Sequence, residues 1–191
     1  MSKYLKTSLN YFFVLIAFAL VNSCSTDKHE QEIYESLKVN ESKFIFKLDG
    51  KDFYPTESIF SGHLEILEKS FTISYFDQKE SNVMIHFGGD KWYVDRPIKI
   101  PVKLLNSYTS TLMFGRIKDK EKRLGEGYLM SEGFITFKTL TKDKIILHVD
   151  GKAKKYPQVN PEDKDYDVQA IIVCKKPKID FLEINEKEAF Y

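Results

Sequence analysis

Histidines are the residues of this chain best suited to bind a metal or to transfer protons near neutral pH. The 191-residue sequence contains four of them, His29, His63, His86 and His148. A zinc site is usually indicated by a pair of ligands two to four residues apart, and these four are far from one another in sequence. We therefore expect a solvated His29, outward-facing strand histidines at 86 and 148, and no bound metal or cofactor.

Nucleophilic catalysis finds little support in the residue pattern. A hydrolase-type serine lies between glycines on a strand-turn-helix element, whereas Ser61-Gly62-His63 has the composition of a loop tripeptide. Cys174 ends an apolar run that starts at Val168, which predicts a small buried residue in a strand. The sequence thus predicts neither a serine nor a cysteine nucleophile.

Carboxylates are numerous but form no recognisable catalytic or calcium-binding motif. The densest stretch, Pro161 to Asp167, carries an interleaved lysine, and such mixed charge predicts a solvated loop. Gly88-Gly89 and Gly125-Glu126-Gly127 are interpreted as strand-linking turns, because no Lys-Ser/Thr helix follows them. We predict a protein that is not an enzyme. The alternative is a carboxylate-dependent hydrolase, which needs two acidic residues facing across a cleft.

One aromatic and polar cluster is suited to binding. Trp92, Tyr93 and Arg96 are close in sequence, and Tyr108 follows in a nearby loop. Together they would make a sugar platform or a protein hot spot, because both aromatic types combine a large contact area with a polar group. The competing interpretation places Trp92 in the core and leaves Tyr93 and Arg96 facing water, as alternation along a strand would do. We favour the core for Trp92.

The N-terminus has the layout of an export signal. Lys3 and Lys6 precede an apolar run from Tyr11 to Val21, which is well short of the roughly 20 residues that span a bilayer. Small and polar residues follow, ending at Cys24. A basic start, a short apolar middle and small residues at the end are typical of a cleaved leader.

Leu20-Val21-Asn22-Ser23-Cys24 resembles the lipobox of bacterial lipoproteins. The resemblance implies cleavage before Cys24 and attachment of acyl chains of the palmitate type to that residue, which would hold the protein on a membrane. By likeness to lipoprotein sorting, Ser25 does not favour retention in the inner membrane, so we expect the outer membrane, with the displayed face left open. The alternative is an ordinary secretory leader with an incidental cysteine.

These features divide the chain into a signal peptide (1–23), a lipid anchor with a flexible tether (24–42) and a folded domain (43–191). The tether is polar, with Ile33, Tyr34 and Leu37 its main apolar residues. Their near-helical spacing allows a short helix, which would be marginal without further packing.

The domain shows a period of two, which is typical of strands. Phe44, Phe46 and Leu48 alternate with less apolar residues and lead into Asp49-Gly50, a strong hairpin signal. A second hairpin is predicted around Glu68-Lys69-Ser70. Pro101 has no N–H to donate to a ladder, so its segment belongs at a sheet edge or outside the sheet.

Roughly ten short strands separated by turn signals predict an all-β fold, either an antiparallel β-sandwich or a partly closed barrel. Within the domain no sustained helical periodicity or repeat is visible. The pattern resembles small β-sandwich lipoproteins of the Bacteroidota, whose function is mostly unassigned. The residues that carry this likeness are Phe46, Asp49 to Lys51, Gly127 to Leu129, Phe134 to Leu140 and Lys144 to Gly151.

Composition excludes several classes of partner and fold. Lys and Arg number 29 against 28 Asp and Glu, so no basic field would attract nucleic acid. Two cysteines are too few for a disulfide scaffold. We therefore expect an envelope-anchored, non-catalytic lipoprotein that binds a protein, peptide or glycan. An inhibitor or immunity-type lipoprotein is a further alternative.

Overall fold

The computed structural model describes residues 26–103, 110–122, 124–157 and 162–191. Residues 1–23, predicted to be a signal peptide, lie outside this part of the chain, as do Cys24 and Tyr108, so the predictions made for them concern residues that it does not describe.

The chain divides after Ser36 into two units, and the described part of the first is a helix, α1, over residues 26–36. Along it, Nε2 of Gln31 donates to Oε1 of Glu35 at 2.8 Å, a contact between side chains one turn apart. The segment predicted to be a tether thus contains the short helix that its spacing allowed, and His29 on it is exposed, as predicted. Among the described residues, no helix combines the length and apolarity needed to traverse a bilayer.

The second unit consists almost entirely of strands, which confirms the all-β class. Its strands are β1 (Glu41–Leu48), β2 (Lys51–Asp52), β3 (Phe60–Leu67), β4 (Ser70–Asp77), β5 (Asn82–Gly88), β6 (Lys99–Lys103), β7 (Ser110–Asp119), β8 (Leu124–Leu140), β9 (Lys144–Tyr156), β10 (Tyr166–Lys175) and β11 (Lys178–Leu182), followed by the one-turn helix α2 (Glu186–Ala189). The first strand begins two residues before the predicted domain boundary.

Eight of the strands form a closed antiparallel barrel, one of the two architectures that the sequence left open. The order is β3-β4-β5-β7-β8-β9-β10-β1, and β1 returns to β3. This closing contact rests on one residue pair, Ser42 opposite Phe60, supported by the rings of Phe44 and Phe60, which stack with centroids 4.3 Å apart. Strands β2, β6 and β11 lie outside the ring, and β11 pairs with β3 in parallel.

Both predicted hairpins are confirmed. Lys47 pairs with Asp52 and Leu48 with Lys51, and the two residues between them, Asp49 and Gly50, have φ values of 49° and 73°. Positive φ at both central positions matches a type I′ turn, which follows the twist of the flanking strands. The β3–β4 pairing forms the second hairpin.

Pro101 also lies where its chemistry predicts. It is the central residue of β6, and this strand pairs with β8 alone among the described strands. Because β6 is an edge, the missing N–H interrupts no ladder on its other side.

Three sequence-based assignments are wrong. Gly125-Glu126-Gly127 is not a turn but part of β8, Ser61-Gly62-His63 is not a loop but part of β3, and Lys91 to Val94 is not a strand but a turn. The longest strand, β8, shifts register at two places, and such bulges let one strand bend without ending.

The barrel interior is filled by the inward-facing residue of each alternating pair. Its largest fully buried side chains are phenylalanines and Tyr75, and the rings of Phe46 and Phe114 lie 4.3 Å apart between centroids. Cys174 is fully buried, which confirms its prediction, and burial raises the pKa of its thiol to about 11. The hydroxyls of Ser42 and Tyr75, also buried, make no hydrogen bond of normal geometry.

Candidate functional site

Trp92 lies in the core, as predicted, although it is in a turn. Its exposed fraction is 8%, and its indole N–H donates to the carbonyl oxygen of Leu67 at 3.1 Å. Its ring meets those of Phe87 and Phe71 edge-on, with centroids 5.0 and 5.5 Å apart. The ring is thus a plug at one end of the barrel, and it offers no exposed face to a sugar.

Arg96 is exposed, in agreement with the interpretation in which it faces water, but its guanidinium is also bonded within the chain. Its Nη1 and Nη2 donate to the main-chain carbonyls of Phe190 and Glu188 at 3.1 and 3.0 Å. Its guanidinium carbon lies 4.5 Å from the ring centroid of Tyr191. Because the chain's own later residues occupy Arg96, it does not form a free platform with Trp92.

Tyr93 joins the same end of the barrel. It is half-buried, and its ring meets that of Trp92 with centroids 5.5 Å apart. Burial, with the carboxylates of Glu188 and Glu68 nearby, raises the pKa of its hydroxyl. The structure therefore brings together three of the four predicted binding residues, while Tyr108 lies outside the described chain.

The strand histidines are dispersed over the outer face of the barrel. His86 and His148 stand on β5 and β9, which are not neighbours. Nδ1 of His86 lies 3.0 Å from Oγ1 of Thr72, and Nε2 of His63 lies 2.9 Å from Oδ2 of Asp180. Within the described ranges no three His, Cys, Asp or Glu side chains are grouped so as to hold a metal ion.

The acidic stretch predicted as a solvated loop is partly structural. Tyr166 and Asp167 already belong to β10. Oδ1 of Asp165 lies 3.2 Å from both Nζ of Lys154 and Oγ of Ser131, and Lys154 is only 5% exposed. Asp165 thus supplies the counter-charge that a buried lysine requires.

A cluster that the sequence did not single out closes the other end of the barrel. Glu126 on β8 pairs with Arg116 on β7. Oε1 of Glu126 lies 2.7 Å from both Nε and Nη2 of Arg116. Nζ of Lys118 lies 2.7 Å from Oε2. Arg116 also donates to the carbonyl of Phe53 and lies 4.5 Å from the centroid of its ring.

The electrostatics of this cluster suit a structural ion pair. Burial by itself would raise the pKa of Glu126, but hydrogen bonds and charges from Lys118 and Arg116 outweigh it and lower the pKa. Burial and the adjacent Glu126 carboxylate raise the pKa of Tyr128 to about 12. A carboxylate that stays ionised with both oxygens occupied is a poor general acid.

The other described carboxyl groups with a clearly shifted pKa share this direction. Hydrogen bonds from neighbouring main-chain or lysine groups lower the pKa values of Asp49, Glu57 and Asp119. A hydrolase of the kind considered above needs one carboxylic acid with a raised pKa, which none of these four supplies.

The outer side of the same strand end carries an exposed apolar surface, which we call the rim patch: Ile117, Gly125, Gly127 and Tyr156. Ile117 pairs with Gly125 across β7 and β8, and Tyr156 pairs with Gly127 across β8 and β9. A Cβ added at Gly125 would lie 3.6 Å from Cδ1 of Ile117, and one at Gly127 would lie 4.0 Å from Cβ of Tyr156. The two side chains therefore border a strip of bare backbone.

Exposure distinguishes the rim patch from the core. Ile117 is 38% exposed and Tyr156 is 54% exposed. Grouped exposed apolar side chains are a feature of interaction surfaces. Sequence reasoning missed the patch because it interpreted Gly125-Glu126-Gly127 as a turn. The alternation of glycine out and glutamate in was the available signal for a strand.

Comparison with known proteins gives no family to which this site can be related. The chain matches no protein-family model, no curated protein and no solved structure.

Proposed function

We propose that this chain is a lipid-anchored envelope protein whose barrel binds a partner without catalysis, through the rim patch. The observation that carries the proposal is the exposure of Ile117 and Tyr156 on either side of the glycine strip. The Glu126 cluster on the inner side of the same strand end fixes this surface, because it ties β7 to β8. A rigid exposed aromatic side chain favours binding, since little conformational freedom is lost on contact.

The anchor follows from the lipobox-like residues Leu20 to Cys24. Each methylene buried in the bilayer contributes about 0.8 kcal/mol, so two or three acyl chains hold a folded domain firmly on a membrane. We propose that the protein is anchored in the outer membrane, and we leave open whether the domain lies on its inner or its outer face.

The charge around the patch favours a partner of low charge. Lys118 pairs with Glu126, Lys122 with Asp119 at 3.3 Å, and Lys120 with Glu80 at 2.6 Å. Because each of these lysines already has an acidic partner, a highly charged polymer would gain little at this surface. An apolar protein or peptide side chain, or the flat face of a sugar ring, fits the tyrosine and the bare strip better.

The anchor is tested in the native host by mass spectrometry of the mature protein and by membrane fractionation. We expect an acylated N-terminal Cys24 in the membrane fraction, and a Cys24→Ser variant that is released from it. An uncut chain with a free thiol at position 24 would contradict the proposal.

The binding surface is tested by a photo-crosslinking aromatic residue that replaces Tyr156, within the rim patch, in the anchored protein. We expect a discrete adduct that Ile117→Ser abolishes. Val94→Ser is the matched control, because Val94 is 57% exposed and lies in the turn that carries Trp92, outside the rim patch. Loss of the adduct with the control variant as well, or its persistence with Ile117→Ser, would overturn the assignment to the rim patch.

A further inference from the structure

Residues 183–191, which we call the strap, are an addition to the barrel. The eight strands of the ring close without them. The strap follows β11, which pairs with β3 alone among the described strands. It begins at Glu183, whose φ of 63° is uncommon for a residue with a side chain, and it contains the single turn of α2.

The strap is held by hydrogen bonds to its main-chain groups, by the Tyr191 hydroxyl, and by the partly buried side chains of Ile184, Phe190 and Tyr191, which pack against the core. The N–H of Tyr191 donates to the carbonyl of Leu140 at 2.9 Å, and its hydroxyl donates to the carbonyl of Phe137 at 3.0 Å. Arg96 donates to two strap carbonyls. An arginine bound to the last carbonyls of a helical turn satisfies acceptors that the turn itself leaves open.

The strap covers apolar surface at the Trp92 end of the barrel. Ala189 has no exposed surface, and the strap reaches Trp92 through Phe137, whose carbonyl accepts from the Tyr191 hydroxyl and whose ring centroid lies 6.4 Å from that of Trp92. Glu186, Lys187 and Glu188 on the outer side of the strap are exposed. Opening of the strap would therefore uncover part of the core without breaking any pairing of the ring.

We propose that the strap opens as a unit while the barrel stays closed, and that Arg96 is the latch that sets how often it opens. Proteins open locally in cooperative units, and segments with few buried contacts open at the lowest free energy. The strap has one fully buried side chain, whereas β4 and β5 contribute a series of them. The open form would expose the aromatic side chains around Trp92 to solvent, a local opening that is separate from the function proposed for the rim patch.

Hydrogen exchange on the full chain tests the proposal. The reporters are the amides of Phe190 and Tyr191, bonded to the carbonyls of Glu186 and Leu140, and they are compared with the amides of β4 and β5. We expect Arg96→Ala to accelerate exchange of the strap amides at least about tenfold and to leave the β4 and β5 amides unchanged. Lys142→Ala is the matched control, because it removes an exposed ion pair with Glu186 and should change strap exchange less than about threefold.

Trp92 gives a second measurement, because it is the single tryptophan of the sequence. Acrylamide should quench its fluorescence more strongly in Arg96→Ala than in the parent protein. Equal acceleration of strap and barrel amides would show one cooperative unit and overturn the proposal, as would an unchanged strap. If Arg96→Ala does not fold, Tyr191→Phe replaces it in the test, because this variant removes only the strap hydroxyl. Equal acceleration of strap and barrel amides, or unchanged exchange of the strap amides, would again overturn the proposal.

Discussion

Arg116 and Glu126 face each other across the β7–β8 pairing, with two guanidinium nitrogens 2.7 Å from one carboxylate oxygen. Lys118 occupies the other oxygen at the same distance. The carboxylate is 9% exposed, whereas the two cations are 33% and 54% exposed. Charge-assisted bonds of this length are stronger than neutral ones, so this contact reinforces the β7–β8 pairing at the strand ends that carry the rim patch.

Replacing Glu126 with glutamine should destabilise the barrel by about 2 kcal/mol. Breaking a fully buried ion pair costs about 3–5 kcal/mol, and the part-exposed cations reduce that figure because water solvates them. Urea unfolding measures the change. The matched control is Glu80→Gln, which removes an exposed pair with Lys120 and should change the free energy of unfolding by less than about 0.5 kcal/mol. Equal effects of the two variants would contradict the structural role of Glu126.

Stability should fall as the pH drops below about 5, and Glu126 should account for part of the loss. Its pKa is lowered in the folded protein, whereas a glutamate in an unfolded chain has a pKa of about 4.3. The stabilisation is therefore present above the unfolded pKa and lost as the pH falls through the folded one. Unfolding curves from pH 7 to pH 3 should show the parent protein and Glu126→Gln converging, and parallel curves would contradict the assignment.

Gly62 should not tolerate a side chain. A Cβ at this position of β3 would lie 2.0 Å from the carbonyl oxygen of Ser74 on β4, so Gly62→Ala would force the two strands apart and cost more than about 3 kcal/mol. Gly127→Ala is the control, because its nearest contacts would be at 3.8 and 4.0 Å. The unfolding temperature should fall strongly in Gly62→Ala and change little in Gly127→Ala.

Two buried tyrosines should respond in opposite directions to loss of the hydroxyl. Tyr54 donates to the carbonyl of Asn82 at 2.8 Å, so Tyr54→Phe should cost about 1 kcal/mol. The hydroxyl of Tyr75 is buried beside Ser42 without a hydrogen bond of normal geometry, so Tyr75→Phe should be neutral or stabilising by up to about 1 kcal/mol. Chemical unfolding measures the change in stability of both variants. A marked loss of stability in Tyr75→Phe would contradict the prediction, because it would reveal a hydrogen bond that the structure does not show.

Local patterns predicted those parts of the fold whose cause is local. Asp49-Gly50 indicates a hairpin because few other dipeptides accept positive φ at both positions, and Pro101 indicates an edge because it lacks a donor. The extent of β8 was not predictable in this way. Its bulges arise where β9 and β8 shift register, a property of the pairing that neither strand carries alone.

The candidate binding residues show the same division. Trp92 was expected in the core because of its size and apolarity, and it is there. Arg96 was expected to face water or a ligand. It is exposed, but it also binds carbonyls 92 and 94 residues later in the chain. A main-chain carbonyl has no sequence signature, so no pattern of residue types indicates which arginine will bind one.

The sequence by itself determined the β class, the hairpin positions, the burial of Trp92 and Cys174, and the prediction of a lipid anchor at Cys24, because each depends on residue types over a short stretch. Only the tertiary structure decided that the strands close into a ring, that Glu126 collects two cations, and that Ile117 and Tyr156 border one glycine strip. These relationships join strands through register, and register depends on how the whole set of strands shares one core.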